Sequence, residues 1–451
     1  MPSSEGRAQE EVDSVKPASV IGVREANLEA EPNRIKRFFK ILGPGLIVGA
    51  SDDDPSGIGT YSVAGAQLGY ATLWLAPVCL PMMAAVQFIC AKIGLVTGMG
   101  LAGVLRRNFP KAVLYPVVFA LVIANTINAG ADIGAIAAAV NLVVPSLRIA
   151  ALVIPIGVLL LVGQIWGSYR TIASIFKWLS LALFAYIGAA IFAHPDLRAV
   201  LVDTVVPHLQ WNPAFITTIV AILGTTISPY MFFWQTNQEV EEDIEMGRKA
   251  LWQRRGTTDT ELKYAFWDVS IGMFFSQVVM YFIIVATGAT LFASGHTNIN
   301  SAADAAKALV PLAGKGSELL LALGMVGAGV LAVPILTGSA GYALSEAFGW
   351  RFGLGQRPDR APQFYGVIVA STLVGMELNF MGVNPIKALF WTAVINGVLA
   401  PVLLLFIMLV ANNKKVMGRR VAGPWENAIG WATAAVMAAA ACGLFLTWGK
   451  S

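Results

Sequence analysis

The chain has 451 residues, 56% of them hydrophobic and only 13% charged, with a mean hydropathy of +0.67, a balance that excludes an ordinary soluble domain and indicates a polytopic membrane protein. Its formal net charge of +4 is spread over loops between apolar stretches, and without a basic domain there is no nucleic-acid partner to expect.

Residues 1–38 mix Glu, Arg, Lys, Ser and Pro without an apolar core, so they read as a disordered cytoplasmic tail, not a cleaved signal. Residues 39–451 read as a transmembrane domain in contact with the lipid bilayer. About eleven stretches reach the ~20 residues that a helical span needs. Their cores lie at 40–68, 73–97, 112–138, 149–167, 171–193, 213–240, 265–292, 318–347, 364–382, 388–411 and 427–448. With the N-terminus inside, inner segments hold about twenty Lys and Arg against about six in outer ones. The odd span count then leaves Ser451 outside, and the expected location is the plasma (inner) membrane. Cys79, Cys90 and Cys442 fall in spans without CxxC spacing and read as small buried hydrophobes, while His194, His208 and His296 fall in outer loops.

The first span carries Ser51-Asp52-Asp53-Asp54-Pro55-Ser56-Gly57. A charge near the bilayer centre is costly and usually faces a water-filled path. Pro55 removes a backbone donor and Ser56-Gly57 weakens the helix further, so carbonyls are freed beside acids, a combination that suits a hard cation. Asp52 and Asp53 recruit cations or complete the shell of a bound ion, or else sit one turn toward the cytoplasm, in the vestibule. In the third span, Asn125, Asn128 and Asp132 share one helical face. They line an ion path or, for the asparagines, form a polar seam between helices. The sixth span carries a second break, Gly224-Thr225-Thr226-Ile227-Ser228-Pro229-Tyr230. Five spans separate the two breaks, so the broken helices run in opposite directions, as inverted repeats require. Residues 39–193 form the first repeat, 213–411 the second, and 427–448 an extra helix. Each half-helix before a break ends in unsatisfied carbonyls and the negative end of its dipole, which together make a cation site. Asp268 and Glu346 lie near inner helix ends and read as interfacial ion pairs. Trp74, Trp211, Trp425 and Trp448 read as interface anchors.

These residues resemble the Nramp family of divalent metal transporters from about Pro44 to Asn427. The family's Asp-Pro-Gly-Asn motif corresponds to Asp54-Pro55-Ser56-Gly57, supported by Gly43-Pro44-Gly45, by Asp132, and by Val416-Met417-Gly418 with Asn427. The resemblance implies an all-α LeuT-type fold with a 5+5 inverted repeat, broken first and sixth helices and one extra helix. It makes Asp54 the anionic ligand and Thr225 a carbonyl donor. The family's asparagine ligand becomes Gly57 and its methionine becomes Ser228, and Asn396 matches a glutamine that approaches the metal, with an interhelical hydrogen bond as the alternative role. A thioether favours soft or borderline ions, so its loss relaxes that selection. The wider site suits a partly hydrated ion, since magnesium sheds water reluctantly, and the pattern is similar to the Nramp-related magnesium transporters.

Proton coupling is expected to be weak or absent. The family's two sixth-helix histidines become Tyr230 and Gln235, and the acid after the third-helix aspartate becomes Ala135. Only Asp132 and the acids around Asp54, Asp53 among them, remain as relay groups. The sequence thus points to transport of Mg2+ or Mn2+ into the cytoplasm, with no cofactor. A proton-coupled Mn2+/Fe2+ transporter is the alternative, and an organic-solute transporter of the same fold is disfavoured because the acids would repel a carboxylate. A membrane-embedded enzyme lacks its constellation, since no second aspartyl segment accompanies Asp54 and no histidine reaches Ser56 or Ser228.

Overall fold

The computed structural model describes residues 43–167 and 181–447; among them all regular structure is helical. The first span is two pieces, α1 (Pro44–Asp52) and α2 (Pro55–Leu68), followed by α3 (Leu75–Thr97) and the short α4 (Leu101–Asn108). Next come α5 (Lys111–Val143), α6 (Ile149–Trp166), α7 (Ala185–Phe192) and α8 (Leu197–Val205). The sixth span is also two pieces, α9 (Pro213–Thr226) and α10 (Pro229–Glu245). The remainder is α11 (Asp259–Thr287), α12 (Ser317–Phe348), α13 (Pro362–Leu378), α14 (Pro385–Ala411) and α15 (Pro424–Thr447). Among the described residues, eight continuous or broken helices are long and apolar enough to cross a membrane. The broken first span and α13 are shorter apolar segments of the same bundle, and α7 belongs to the expected fifth span. Part of that fifth span (171–180), the tail 1–38, Trp448 and Ser451 lie outside the described residues.

Local chemistry sets the helix ends. Proline, whose missing N–H costs nothing at a first position, opens α1, α2, α9, α10, α13, α14 and α15. Thr258 and Glu261 form a reciprocal capping box at α11. Gly98 and Gly349 close α3 and α12 at φ of 65° and 76°, in the left-handed region that glycine occupies freely.

The half-helices before the two breaks are held backbone to backbone. A Cβ on Gly49 of α1 would lie 2.3 Å from the Gly272 carbonyl carbon of α11, and one on Gly224 of α9 would lie 2.3 Å from the Gly397 nitrogen of α14. Only glycine permits either approach. The contact brings Asp268 to the start of α1, where its carboxylate accepts from the backbone N–H groups of Gly43 (2.8 Å), Gly45 (2.7 Å) and Leu46 (3.1 Å). Glu346 is likewise set against Gly100, Ala102 and Gly103 at the start of α4. For Glu346 this corrects the expectation of an interfacial ion pair; both acids are buried and face helix N-termini, where the macrodipole favours negative charge. Asp268→Ala is therefore expected to cost about 2 kcal/mol of stability, and Asp268→Asn less. The thermal unfolding midpoint of the purified protein checks this, and an unchanged midpoint in the alanine variant would count against the cap.

Cys79 and Cys90 are buried as expected, whereas Cys442 is exposed on α15. Trp211 and Trp425 are exposed beside helix ends, and Trp74 is half-buried just before α3.

Candidate metal site

The chain cannot continue as helix through Asp53 and Asp54, because Pro55 has no N–H to donate and Asp54 is extended, with φ −64° and ψ 169°. Asp54 becomes the N-cap of α2: its Oδ1 accepts from the Gly57 backbone N–H and from the Ser56 hydroxyl, each at 2.7 Å. Ser228 plays the extended residue at the second break, with φ −76° and ψ 133°. Its hydroxyl turns back to the end of α9, 2.7 Å from both the Gly224 and the Thr225 carbonyl oxygens.

The breaks meet through side chains. Ser56 Oγ lies 3.3 Å from Thr225 Oγ1; with the Ser56 proton committed to Asp54, Thr225 is the donor. Tyr230 of α10 donates to the Ser51 carbonyl of α1 at 3.2 Å, and Tyr61 of α2 pairs with Thr226 of α9 at 3.2 Å. Asn128 of α5 donates to Asp54 Oδ2 at 3.4 Å. Asp54, Thr225, Ser228, Asn128 and Asp132 are each at most 1% exposed, so the junction is buried within the bundle.

Of the residues singled out from sequence, Asp54, Gly57, Thr225, Ser228 and Asn128 come together here. Asp132 lies beside the backbone of Ser56 and within Coulomb reach of Asp54. Its carboxylate is in only weak contact with the Ser56 backbone N–H, and Asn128 Oδ1 has no hydrogen-bond partner among the described residues. Asp53 turns instead toward α11, its Oδ1 3.4 Å from Ser276 Oγ, which also hydrogen-bonds Asp52. Asn396, 1% exposed and with neither amide atom partnered among the described residues, precedes the Gly397 that packs on α9, and no hydrogen bond among those residues ties it to the junction. Sequence reasoning missed Ser56 as the link between breaks and Ser276 as the partner of the two preceding acids. It also missed Met280, whose sulfur lies 3.9 Å from the Thr226 hydroxyl. No group of three His, Cys, Asp or Glu side chains among the described residues converges as a metal-binding cluster. What converges is a carboxylate with carbonyl and hydroxyl oxygens, donors of the kind that hard cations take.

A family model described as Nramp, natural resistance-associated macrophage protein-like, matches residues 45–447. The divalent metal cation transporter MntH of Klebsiella pneumoniae subsp. pneumoniae is 25% identical over 419 residues, covering 91% of this chain and 95% of that protein. MntH of Brucella suis is 24% identical over 412 residues, covering 90% and 87%. Among solved structures, the Eremococcus coleocola manganese transporter aligns with a TM-score of 0.71 at 17% identity, covering 93% of this chain and 90% of that one. The nucleobase-cation-symport transporter Mhp1 aligns with a TM-score of 0.55 at 13% identity, covering 90% and 91%. These alignments show a shared fold, of the LeuT type, with its two broken helices.

Proposed function

The chain belongs to the Nramp family, and from that premise we propose that it moves divalent metal cations, Mg2+ or Mn2+, across the membrane into the cytoplasm by alternating access at the junction of the two breaks. The observation that carries this reading is a buried carboxylate, Asp54, set at the start of one broken half-helix and joined through Ser56 to the end of another. Asp54 supplies charge, the Thr225 carbonyl and Ser228 hydroxyl supply oxygen, and Gly57 leaves room for water. Asp53, Asn128, Asp132 and Asn396 line the route. The repeats 39–193 and 213–411 rock about this point, with 427–448 outside the repeat, the N-terminus cytoplasmic and the C-terminus outside, in the inner membrane. The names of the relatives support a metal ion, and the oxygen donor set supports magnesium beside manganese.

Transport proceeds without tight proton coupling in this reading. Tyr230 and Gln235 stand where the family has titratable histidines; Tyr230 is engaged with Ser51, and Gln235 donates to Glu239 at 2.9 Å. Ala135, one turn beyond Asp132, carries no proton. A proton-coupled Mn2+ transporter is the second reading, favoured by the buried Asp132 and by the manganese transporter that shares the fold. Proteoliposomes loaded with a pH dye separate the two. Mn2+ uptake is expected to leave luminal pH unchanged, and acidification in step with metal entry would favour the coupled reading.

A further inference from the structure

The connection between α7 and α9 carries an apolar surface that the described residues leave uncovered. Asp196 caps α8, its Oδ1 accepting from the backbone N–H groups of Arg198 (2.9 Å) and Ala199 (3.2 Å), and so fixes where the helix begins. Leu197, Leu201 and Val205, spaced four apart, then follow one another along a single face, flanked by Arg198 and Val202. All of them are exposed, Leu201 by 65% and Val205 by 78%, whereas Val200 on the opposite face is buried. Beyond the helix, Val206, Leu209 and Trp211 are exposed as well. Single exposed hydrophobes need no explanation, but a contiguous run of them marks an interaction surface.

Hydrogen bonding sets the depth of this face. The Thr204 hydroxyl donates to the Val200 carbonyl at 2.6 Å, which leaves Tyr281 of α11 as the donor in its 2.9 Å bond to Thr204. Tyr281 stands on the same helix as Ser276, which meets Asp52 and Asp53 at the first break. At about 1.5 Å per residue, Tyr281 is only about 8 Å further along that helix. A break at the middle of the bilayer leaves about 15 Å of hydrocarbon on either side. α8 is therefore tied alongside α11 near the edge of the hydrocarbon, not above it in water. Ile191 and Phe192 at the end of α7, both more than half exposed, bring the lipid-facing surface of the bundle to the same place.

We propose that α8 lies in the plane of the membrane interface, on the side where α9 begins, with Leu197, Leu201 and Val205 inserted among the lipid chains. The occupant of the face is a lipid surface. An amphipathic helix of this kind sinks roughly 5–10 Å into the boundary between headgroups and acyl chains. Trp211 follows as an interfacial anchor, and Arg198 can lift its guanidinium to the lipid phosphates while its stem stays on the apolar face. The polar side faces the protein. Asp203, whose Oδ1 lies 2.8 Å from His208 Nε2, lines a cavity of about 550 Å3 together with Tyr70, just beyond the end of α2, and Phe292, just beyond the end of α11. One short helix thus joins the bilayer to the ends of a broken helix and of its neighbour, whichever ion is carried.

The test uses the full-length protein in lipid nanodiscs, where both faces are accessible and orientation does not affect the result. In a Cys442→Ser background, which leaves only the buried Cys79 and Cys90, an environment-sensitive fluorophore is attached through Leu201→Cys and, in a second protein, through Val205→Cys. Both sites are exposed, and the second supplies the readout if the first variant does not fold. Lys315→Cys, on the exposed connection before α12, is the water-facing control. Emission from positions 201 and 205 should be blue-shifted and unaffected by aqueous iodide. It should be largely lost when the lipids carry a nitroxide near the glycerol end of the acyl chain, and less so when the nitroxide is at the chain terminus. Position 315 should be quenched by iodide and not by the lipids. Iodide quenching at 201 and 205 equal to that at 315 would put α8 in water and overturn the inference. Shielding from both quenchers, with a disulfide-linked dimer forming through unlabelled Leu201→Cys, would overturn it too, because a second copy of the chain would then cover the face.

Discussion

Asp54→Ala is expected to reduce divalent metal uptake to the level of protein-free vesicles. The substitution removes the charge that offsets ion dehydration, and the remaining carbonyl and hydroxyl oxygens carry no formal charge to replace it. It also removes the cap of α2, worth about 1 kcal/mol of stability, so the loss needs a control for folding. Asp54→Asn supplies it, because an amide oxygen can still accept from Gly57 and Ser56 while the charge is gone. Both variants should be inactive, and the asparagine variant should elute and melt like the unmodified protein. Uptake at the unmodified rate in a folded Asp54→Asn would place the ion elsewhere.

Selectivity is expected to shift by roughly tenfold or more, about 1.4 kcal/mol, when Gly57→Asn and Ser228→Met are combined. A Cβ at position 57 would lie 3.2 Å from the Asp52 carbonyl oxygen and 3.4 Å from Thr225 Oγ1 and the Tyr61 ring. Adjustments of a few tenths of an ångström accommodate it, and the amide then enters the space between the breaks. Replacing Ser228 removes the hydroxyl shared by the Gly224 and Thr225 carbonyls, which frees both to face the ion as sulfur arrives. Sulfur prefers softer or borderline metals, and a narrower site requires the ion to shed water, which magnesium does reluctantly. Mn2+, Fe2+ or Cd2+ should therefore gain over Mg2+ in competition uptake. If the unmodified protein already excludes excess Mg2+ while carrying Mn2+, selection does not depend on these two positions.

Both breaks were legible because they are written locally: Pro55 and Pro229 cannot donate, and an aspartate or serine precedes each. The span limits were legible for the same reason, since proline and glycine mark them. The long-range partners were not. Asp268 reads as an interfacial acid until α11 is set against Gly45 and Gly49, because its partners are backbone N–H groups more than two hundred residues away, which leave no mark in the sequence. Asp52 and Asp53 share a run with Asp54, yet the end of α1 directs them to Ser276 on α11. Ser228 could be recognised as a lost thioether, but the direction of its hydroxyl, back onto the helix it follows, depends on the geometry of the break. Met280 reaches Thr226 from another helix, so no motif around the break could announce it.

The most direct measurement is metal flux by the unmodified, full-length protein in proteoliposomes. Internal Mn2+ should rise above protein-free vesicles, excess external Mg2+ should suppress that rise, and neither amino acids nor nucleobases should accumulate. Folded protein that moves no divalent metal, or that accumulates an organic solute instead, would contradict the account.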